Sequence, residues 1–482
     1  MKTLIIILSL VLCLSNVSAQ HYAQKYYPET DSMAIKKIQE WQDLKFGLLM
    51  HWGAYSQWGI VESWSICAED VGWTKRTKGN NPDNYTEYKK EYEGLKNSFN
   101  PVKFNPDKWA KAADYAGMKY VIFTTKHHDG FCMFDTKYTD YKITDKGCAF
   151  STNKKANVTK EIFDAFRKRD FWVGPYFSKP DWHSEYYWWP KFATPDRNVN
   201  YDIKKYPERW EEFIEYTYNQ ILELMTDYGK IDILWLDGGQ VAPLSREEIV
   251  KIMMRPDYQF MHLQNQDIRM GELKKKAREK QPGLIVVDRA VEGPNQNYLT
   301  PENQIPGKLL PYPWESCIIS GGGWSFTPDA KYMSTRKLIY TLVDIVSKGG
   351  NLLLNIAPSP EGIWDEAAYN LLKEMGDWMK INGEAIYNSK PLKPYKEGKV
   401  CLTQQNNGTV YAIYLSEEGE DTPPSKIWMT HYQPEKNAQI MMLGSKMQLE
   451  WEAVGKGFVV NIPELLRKNA PCKYSWVLKI TQ

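Results

Sequence analysis

Short apolar segments alternate with amphipathic segments through most of the chain. Seven apolar segments have the length of buried strands, at residues 46–51, 120–125, 172–177, 231–236, 284–287, 316–320 and 351–356. Helical spacing of apolar residues occurs at 107–116, 157–169, 207–228, 245–253, 271–280, 334–347 and 365–381. Continuous apolar strands alternating with helices are typical of a parallel sheet covered on both faces. Seven or eight such units in one continuous region predict a (β/α)8-like, TIM-type barrel rather than an open sheet.

The pattern changes near residue 390, where apolar and polar residues begin to alternate. Short alternating segments separated by turn-like stretches lie at 400–402, 410–414, 427–429, 458–462 and 474–478. This spacing predicts a small antiparallel β-sandwich. The expected division is a signal peptide at 1–19, a barrel domain at 20–388 and a C-terminal β-sandwich domain at 389–482.

The first nineteen residues have the features of a signal peptide. Lys2 precedes an apolar run over residues 4–14, and Val17-Ser18-Ala19 offers a small-residue cleavage site. The run is too short to span a bilayer as a stable helix, and no other segment approaches eighteen uninterrupted apolar residues. We therefore expect export to the periplasm or the medium, and no membrane span.

Composition excludes some classes of function and favours others. The 482 residues carry a net charge of +2, which argues against a highly basic nucleic-acid-binding protein. Aromatic residues make up 14% of the chain, and aromatic faces pack well against the C–H faces of sugars, although a large core also uses them. The six cysteines beyond the leader have no metal-ligand spacing, so we expect mostly free buried thiols, no zinc site and no cofactor.

Polar and aromatic residues follow five of the predicted strands directly. These clusters lie at residues 51–52, 127–129, 178–182, 237–239 and 288–289. In a barrel of this kind the active site forms at the carboxyl ends of the strands, from several strand-to-helix loops. We therefore expect these clusters to meet at one site.

Carboxylates are the first candidates for chemistry. Asp237 ends an apolar strand and precedes two glycines, a position that suits the nucleophile of a retaining glycosidase. Such an enzyme needs a second carboxyl group, and Glu292, Glu302 and Glu315 are all available. The first two belong to a stretch rich in Pro, Gly, Asn and Gln that is typical of a mobile active-site loop. The residues alone do not choose among the three.

The histidine pair that follows the second strand suits hydroxyl recognition. Neighbouring side chains of an extended chain point to opposite sides, so we do not expect His127 and His128 to share a metal ion. Neutral imidazoles can both donate and accept hydrogen bonds, as sugar hydroxyls require. A Ser/His/Asp hydrolase is disfavoured because no GxSxG motif ends a strand.

Five motifs in order make the chain resemble the α-L-fucosidases of glycoside hydrolase family 29. They are KFGLLMHWG at 45–53, TKHHDGF at 125–131, LWLD at 234–237, VDR at 287–289 and KGGNLLLNI at 348–356. The resemblance extends from about residue 45 to residue 387.

The resemblance implies retaining, metal-independent removal of terminal α-L-fucose. Asp237 matches the family's nucleophile, and Glu302 in the segment 298–302 is the best match to its acid/base, with Glu315 and Glu292 left open. Contacts to fucose are implied for His51, Glu62, Trp64, His127, His128, Tyr176, Trp235, Arg289 and Trp324.

The expected partner is a fucosylated oligosaccharide or glycoconjugate. Linkage preference and oligomeric state stay open at this point. The alternatives are a hydrolase of a related sugar such as α-L-galactose, a non-catalytic fucose-binding lectin on the same scaffold, and a metal-dependent hydrolase that uses His127 and His128.

Overall fold

A computed structural model describes residues 24–69, 74–256 and 258–481. The predicted signal peptide at 1–19 lies outside the described residues. No helix in the described ranges is both long enough and apolar enough to cross a bilayer.

A seven-stranded parallel sheet forms the centre of the region that precedes residue 389, in the order β5-β4-β3-β2-β1-β7-β6. Its strands are β1 (Phe46–Met50), β2 (Tyr120–Lys126), β3 (Trp172–Ser178), β4 (Ile233–Asp237), β5 (Ile285–Asp288), β6 (Glu315–Ile319) and β7 (Asn351–Asn355). All seven predicted strands are confirmed, with ends that differ by one or two residues. Their apolar runs are buried because helices cover one face and the barrel interior covers the other.

Within the part of the chain that the structure describes, the seven predicted helices are present, and a helix follows every strand of the sheet except β5, which connects to β6 without one. The helices of this region are α1 (Ser32–Leu44), α2 (Tyr85–Ser98), α3 (Pro106–Tyr115), α4 (Val158–Arg167), α5 (Pro207–Asp227), α6 (Arg246–Met253), α7 (Met270–Lys280), α8 (Thr335–Ser347) and α9 (Glu366–Asn382). Sequence reasoning missed α1 and α2. The buried face of α2 consists of Tyr88, Tyr92 and Leu95 in an otherwise polar helix, so its apolar periodicity is weak.

The expectation of eight barrel strands is only partly met. No eighth regular strand lies among the described residues between β5 and β6. The segment 296–303 occupies this place, with backbone bridges from Gln296 to Val287 of β5 and from Leu299 and Glu302 to residues at β6. Part of the stretch predicted as a mobile active-site loop therefore forms backbone bridges with the strands on both sides of it.

The C-terminal region contains two antiparallel sheets. One has the order β12-β15-β10-β9-β8 and the other β11-β14-β13. Their strands are β8 (Ser389–Glu397), β9 (Val400–Gln405), β10 (Val410–Leu415), β11 (Lys426–Met429), β12 (Gln439–Met442), β13 (Trp451–Val454), β14 (Gly457–Asn461) and β15 (Ser475–Thr481), and a short helix α10 (Glu464–Lys468) precedes the last. Side chains from both sheets share one core, in which Leu402, Ile427 and Phe458 are fully buried.

The six described cysteines are free thiols. Five are buried and Cys472 is half-buried. They are spread over both parts of the chain, which agrees with the sparse spacing in the sequence.

Candidate active site

A cavity of about 690 Å³ lies at the carboxyl ends of the parallel strands. The eleven residues that the resemblance implies as catalytic or sugar-binding all line it: Asp237, Glu302, His51, Glu62, Trp64, His127, His128, Tyr176, Trp235, Arg289 and Trp324. They come from the ends of β1 to β5 and from three connecting segments, so the expected convergence is found.

Asp237, the last residue of β4, is held by two neighbours. Its Oδ2 accepts a hydrogen bond of 2.6 Å from the Tyr176 hydroxyl, and its Oδ1 lies 2.8 Å from Nη1 of Arg289. Burial alone would raise the pKa of Asp237, but the Arg289 guanidinium, the nearby His128 and the Tyr176 hydroxyl outweigh it. The pKa of Asp237 therefore lies well below its usual range, and the carboxylate is ionised at neutral pH.

Glu302 lies on the opposite side of the same guanidinium. Nη2 of Arg289 binds Oε2 of Glu302, and the indole N–H of Trp324 donates to Oε1 at 3.0 Å. One arginine thus joins the two candidate carboxyl groups across the cavity. The side chain of Glu302 is 32% exposed, against 15% for Asp237, so it reaches further toward solvent.

The other two glutamates lie elsewhere. Glu292 accepts hydrogen bonds from the backbone N–H of Lys25 and the hydroxyl of Tyr27 at the exposed surface. Glu315 is fully buried at the start of β6, below the cavity, where it accepts from Tyr120 and Trp235. Neither lines the cavity.

Three buried histidines form one wall. His127 and His128 follow the end of β2, and their rings lie 4.3 Å apart with both facing the cavity. The premise that they point to opposite sides is wrong, because the chain is no longer extended after Lys126. Burial lowers the pKa of His51 and of His128 to about 4, and it lowers that of His127 well below its usual value. All three are therefore neutral at physiological pH.

Glu62 also lines the cavity, and its carboxyl group is protonated and neutral. Its Oε1 accepts a 2.8 Å hydrogen bond from the backbone N–H of Ser325, and the residue is only 2% exposed. Burial raises the pKa of Glu62 to about 8, with help from the charges of Glu302 and Asp237. A protonated carboxyl group at this place can donate a hydrogen bond as well as accept one.

Four further residues at or just after strand ends form two buried ion pairs instead. Lys179 and Asp288 form a fully buried ion pair of 2.5 Å, and Lys126 pairs with Asp181 at 2.9 Å with no exposure of either side chain. The first pair links the ends of β3 and β5 across β4, and the second links the ends of the neighbouring strands β2 and β3.

Sequence reasoning missed the rim of the cavity. Arg197 lies between the rings of Trp64 and Phe260, with its guanidinium carbon 4.6 Å from each ring centre, and Glu69 binds it through two oxygens. The rim also contains Leu244, Ile252 and Leu263. These residues carry no motif, and only the assembled loops bring them together.

His127, His128 and Asp237 also place three ligand atoms within 4.8 Å of one another. The set does not fit a cation well, because Asp237 is already bound to the positive charge of Arg289 at 2.8 Å and Nδ1 of His127 is engaged by Ser63. Hydroxyl recognition suits the neutral imidazoles better.

A parallel sheet whose strand ends hold two carboxyl groups on one arginine, in a cavity lined with aromatic rings, has the arrangement expected of a glycoside hydrolase. The sequence matches the alpha-L-fucosidase family over residues 13–384 and the alpha-L-fucosidase C-terminal domain over residues 394–481. The chain therefore belongs to the α-L-fucosidase family, glycoside hydrolase family 29, and it is an enzyme of that class.

Several known proteins are similar over nearly the whole chain. Plasma alpha-L-fucosidase of Homo sapiens is 27% identical over 486 residues, which cover 96% of this chain and 93% of the human protein. The solved structure of alpha-L-fucosidase isoenzyme 1 from Paenibacillus thiaminolyticus is 27% identical with a TM-score of 0.73, over 93% of this chain and 99% of that one. The Thermotoga maritima alpha-fucosidase in complex with fucose is 25% identical with a TM-score of 0.70, over 95% of this chain and 100% of that one.

Proposed function

We propose that this protein is an exported exo-glycosidase that removes terminal α-L-fucosyl residues from fucosylated glycans with retention of configuration. The observation that carries the proposal is the single guanidinium of Arg289, which binds both Asp237 and Glu302 inside the cavity. Two carboxyl groups held on one arginine are close neighbours, and retaining glycosidases need a separation of about 5–5.5 Å.

In the first step, Asp237 attacks the anomeric carbon and the bond to the leaving oxygen breaks. Glu302 gives its proton to that oxygen, so the glycan departs as an alcohol and the fucosyl group stays bound to Asp237 as an ester. In the second step, Glu302 takes a proton from water, the water oxygen attacks the anomeric carbon, and the Asp237 carboxylate leaves. The low pKa of Asp237 supports its role, because the nucleophile must be ionised.

The cavity matches a deoxy-sugar. Neutral His51, His127 and His128 and protonated Glu62 supply donors and acceptors for hydroxyl groups. Trp64, Trp235 and Trp324 supply the apolar faces that a methyl group and C–H bonds require. The complex of the Thermotoga relative with fucose supports the same sugar here.

The test uses wild type and three alanine variants. Wild type should release fucose from an aryl fucoside and from fucosylated oligosaccharides, with α-fucose as the first anomer seen by NMR. Glu302→Ala should lose most activity on oligosaccharides and less on an activated aryl fucoside, because only poor leaving groups need protonation.

Matched variants Glu292→Ala and Glu315→Ala separate the candidates. If Glu302→Ala behaves like wild type on oligosaccharides while either of these shows the leaving-group pattern, Glu302 is the wrong residue. Binding of fucose with no hydrolysis by wild type would instead indicate the lectin. Faster hydrolysis of α-L-galactosides than of fucosides would indicate the related hydrolase.

Two further points belong to the proposal. The apolar run at 4–14 and the small residues after it support export after cleavage near residue 19. We also propose that 20–388 and 389–482 are separate domains, which limited proteolysis near the boundary tests.

A further inference from the structure

Glu315 is a buried carboxyl group for which the proposed mechanism has no use. It is the first residue of β6, it is fully buried, and it lies one layer below the cavity in the barrel interior. An acidic side chain in such a place has a large desolvation cost, so its retention there needs a specific reason.

One of its two hydrogen bonds comes from a residue that lines the active-site cavity. Oε2 accepts from the Tyr120 hydroxyl at 2.6 Å, and Oε1 accepts from the indole N–H of Trp235 at 3.2 Å. Trp235 lies in β4, two residues before Asp237, so the two side chains leave the same face of the strand. Glu315 thus fixes the inner edge of the indole directly beneath the candidate nucleophile.

The indole in turn packs against both partners of Asp237. Its ring stacks on the ring of Tyr176 at 5.3 Å with an angle of 23°, and the guanidinium carbon of Arg289 lies 5.6 Å from its centre. Tyr176 and Arg289 are the two groups that hold the oxygens of Asp237. A shift of Trp235 would therefore move both.

We infer that Glu315 is a positioning residue that orients Trp235, and through it Tyr176, Arg289 and Asp237. This inference rests on the proposed role of Asp237 as nucleophile. Without the carboxyl group, the indole N–H of Trp235 would be buried with no acceptor, which is energetically unfavourable. We expect the ring to rotate so that the N–H finds another acceptor. A misplacement of about 1 Å at the reacting atoms can lower a rate by about 100-fold.

The role depends on an acceptor oxygen rather than on a charge. Burial raises the pKa of Glu315 to about 7, although the bonds from Tyr120 and Trp235 oppose the rise. The carboxyl group keeps an acceptor oxygen for Trp235 whether or not it carries a proton, and a glutamine amide also offers one. Glutamine should therefore rescue function where methionine does not.

The experiment compares Glu315→Gln and Glu315→Met on an aryl α-L-fucoside, with kcat and KM measured separately. Glu315→Met should lower kcat by about 10- to 100-fold, whereas Glu315→Gln should stay close to wild type. The matched control is Glu223→Met in α5, which also removes a buried glutamate with two hydrogen bonds, from Thr136 and Lys137, but one that does not line the cavity. The melting temperature of Glu223→Met should fall, while its kcat should stay close to that of wild type.

Each outcome decides the inference. A folded Glu315→Met variant with wild-type kcat overturns it. A Glu315→Gln variant that is as slow as Glu315→Met also overturns it, because an acceptor oxygen would then not be sufficient and the carboxyl proton itself would be needed. If Glu315→Met does not fold, Trp235→Phe removes the same hydrogen bond from the other side, and an unchanged kcat there overturns the inference as well. Failure of wild type to hydrolyse any fucoside would instead refute the proposed function.

Discussion

The pKa of Glu62 gives a prediction about stability whose size follows from the structure. Burial raises the pKa of Glu62 from 4.5 to about 8. Between pH 4.5 and pH 8 the Glu62 carboxyl group is protonated in the folded protein and ionised in the unfolded chain. The folded state therefore binds more protons, and the free energy of unfolding falls as pH rises. At about 1.4 kcal/mol per pH unit, the contribution of this group falls by about 4 kcal/mol between pH 5 and pH 8.

Glu62→Gln removes this dependence, because an amide does not titrate. The melting temperature of the variant relative to wild type should therefore rise by roughly 5 °C from pH 5 to pH 8 for a unit of several hundred residues. Scanning fluorimetry of both proteins at pH 5, 6.5 and 8 measures the difference, in which the titration of groups that do not interact with Glu62 cancels. Glu418→Gln, at an exposed position, controls for the exchange itself. A difference that stays constant with pH would mean that Glu62 is ionised in the folded protein, and the reasoning on burial would be refuted.

Three further predictions test the site. Asp237→Gly should abolish turnover, and added azide should restore part of it with a β-fucosyl azide as product, because the anion can enter the space that the carboxylate leaves; near-normal activity without azide would contradict the assignment. Exhaustive chelation should leave activity unchanged, since the histidines recognise hydroxyls, whereas a loss that zinc restores would favour a metallohydrolase. Phe260→Ala should lower kcat/KM on fucosylated oligosaccharides about 3- to 10-fold, because stacking at the rim of the cavity is lost. The kcat/KM for fucosyl fluoride should stay unchanged, since its leaving group is too small to reach Phe260. An equal loss on both substrates would place Phe260 against the fucosyl group instead.

The strands and the meeting of their ends were predictable because both follow from local pattern and a general rule of parallel sheets. Asp237 ends a strand and the histidines directly follow strands, so their positions needed no long-range information. β8 was missed since its sequence contains Pro391, Pro394 and several lysines, which an interior strand would not accept. It lies at the edge of its sheet, where proline is tolerated.

The choice among the glutamates depends on chain path, which the pattern does not contain. The segment 296–303 runs beside β6 so that Glu302 pairs with Cys317. Cys317 lines the cavity, whereas Glu315 is two residues earlier on the same strand and so one layer deeper. The rim residue Arg197 was beyond prediction for a similar reason, because its position depends on contacts with Trp64 and Phe260, which are distant in sequence.

The most direct test of the central claim is to trap the intermediate. A 2-deoxy-2-fluoro-fucosyl fluoride reacts with a retaining enzyme but slows release of the sugar, so the ester accumulates and can be located by mass spectrometry of peptides. We predict one fluorofucosyl group per chain, attached to Asp237, and faster loss of the label when an acceptor is added. A label on another residue, or inverted product with no label at all, would contradict the account.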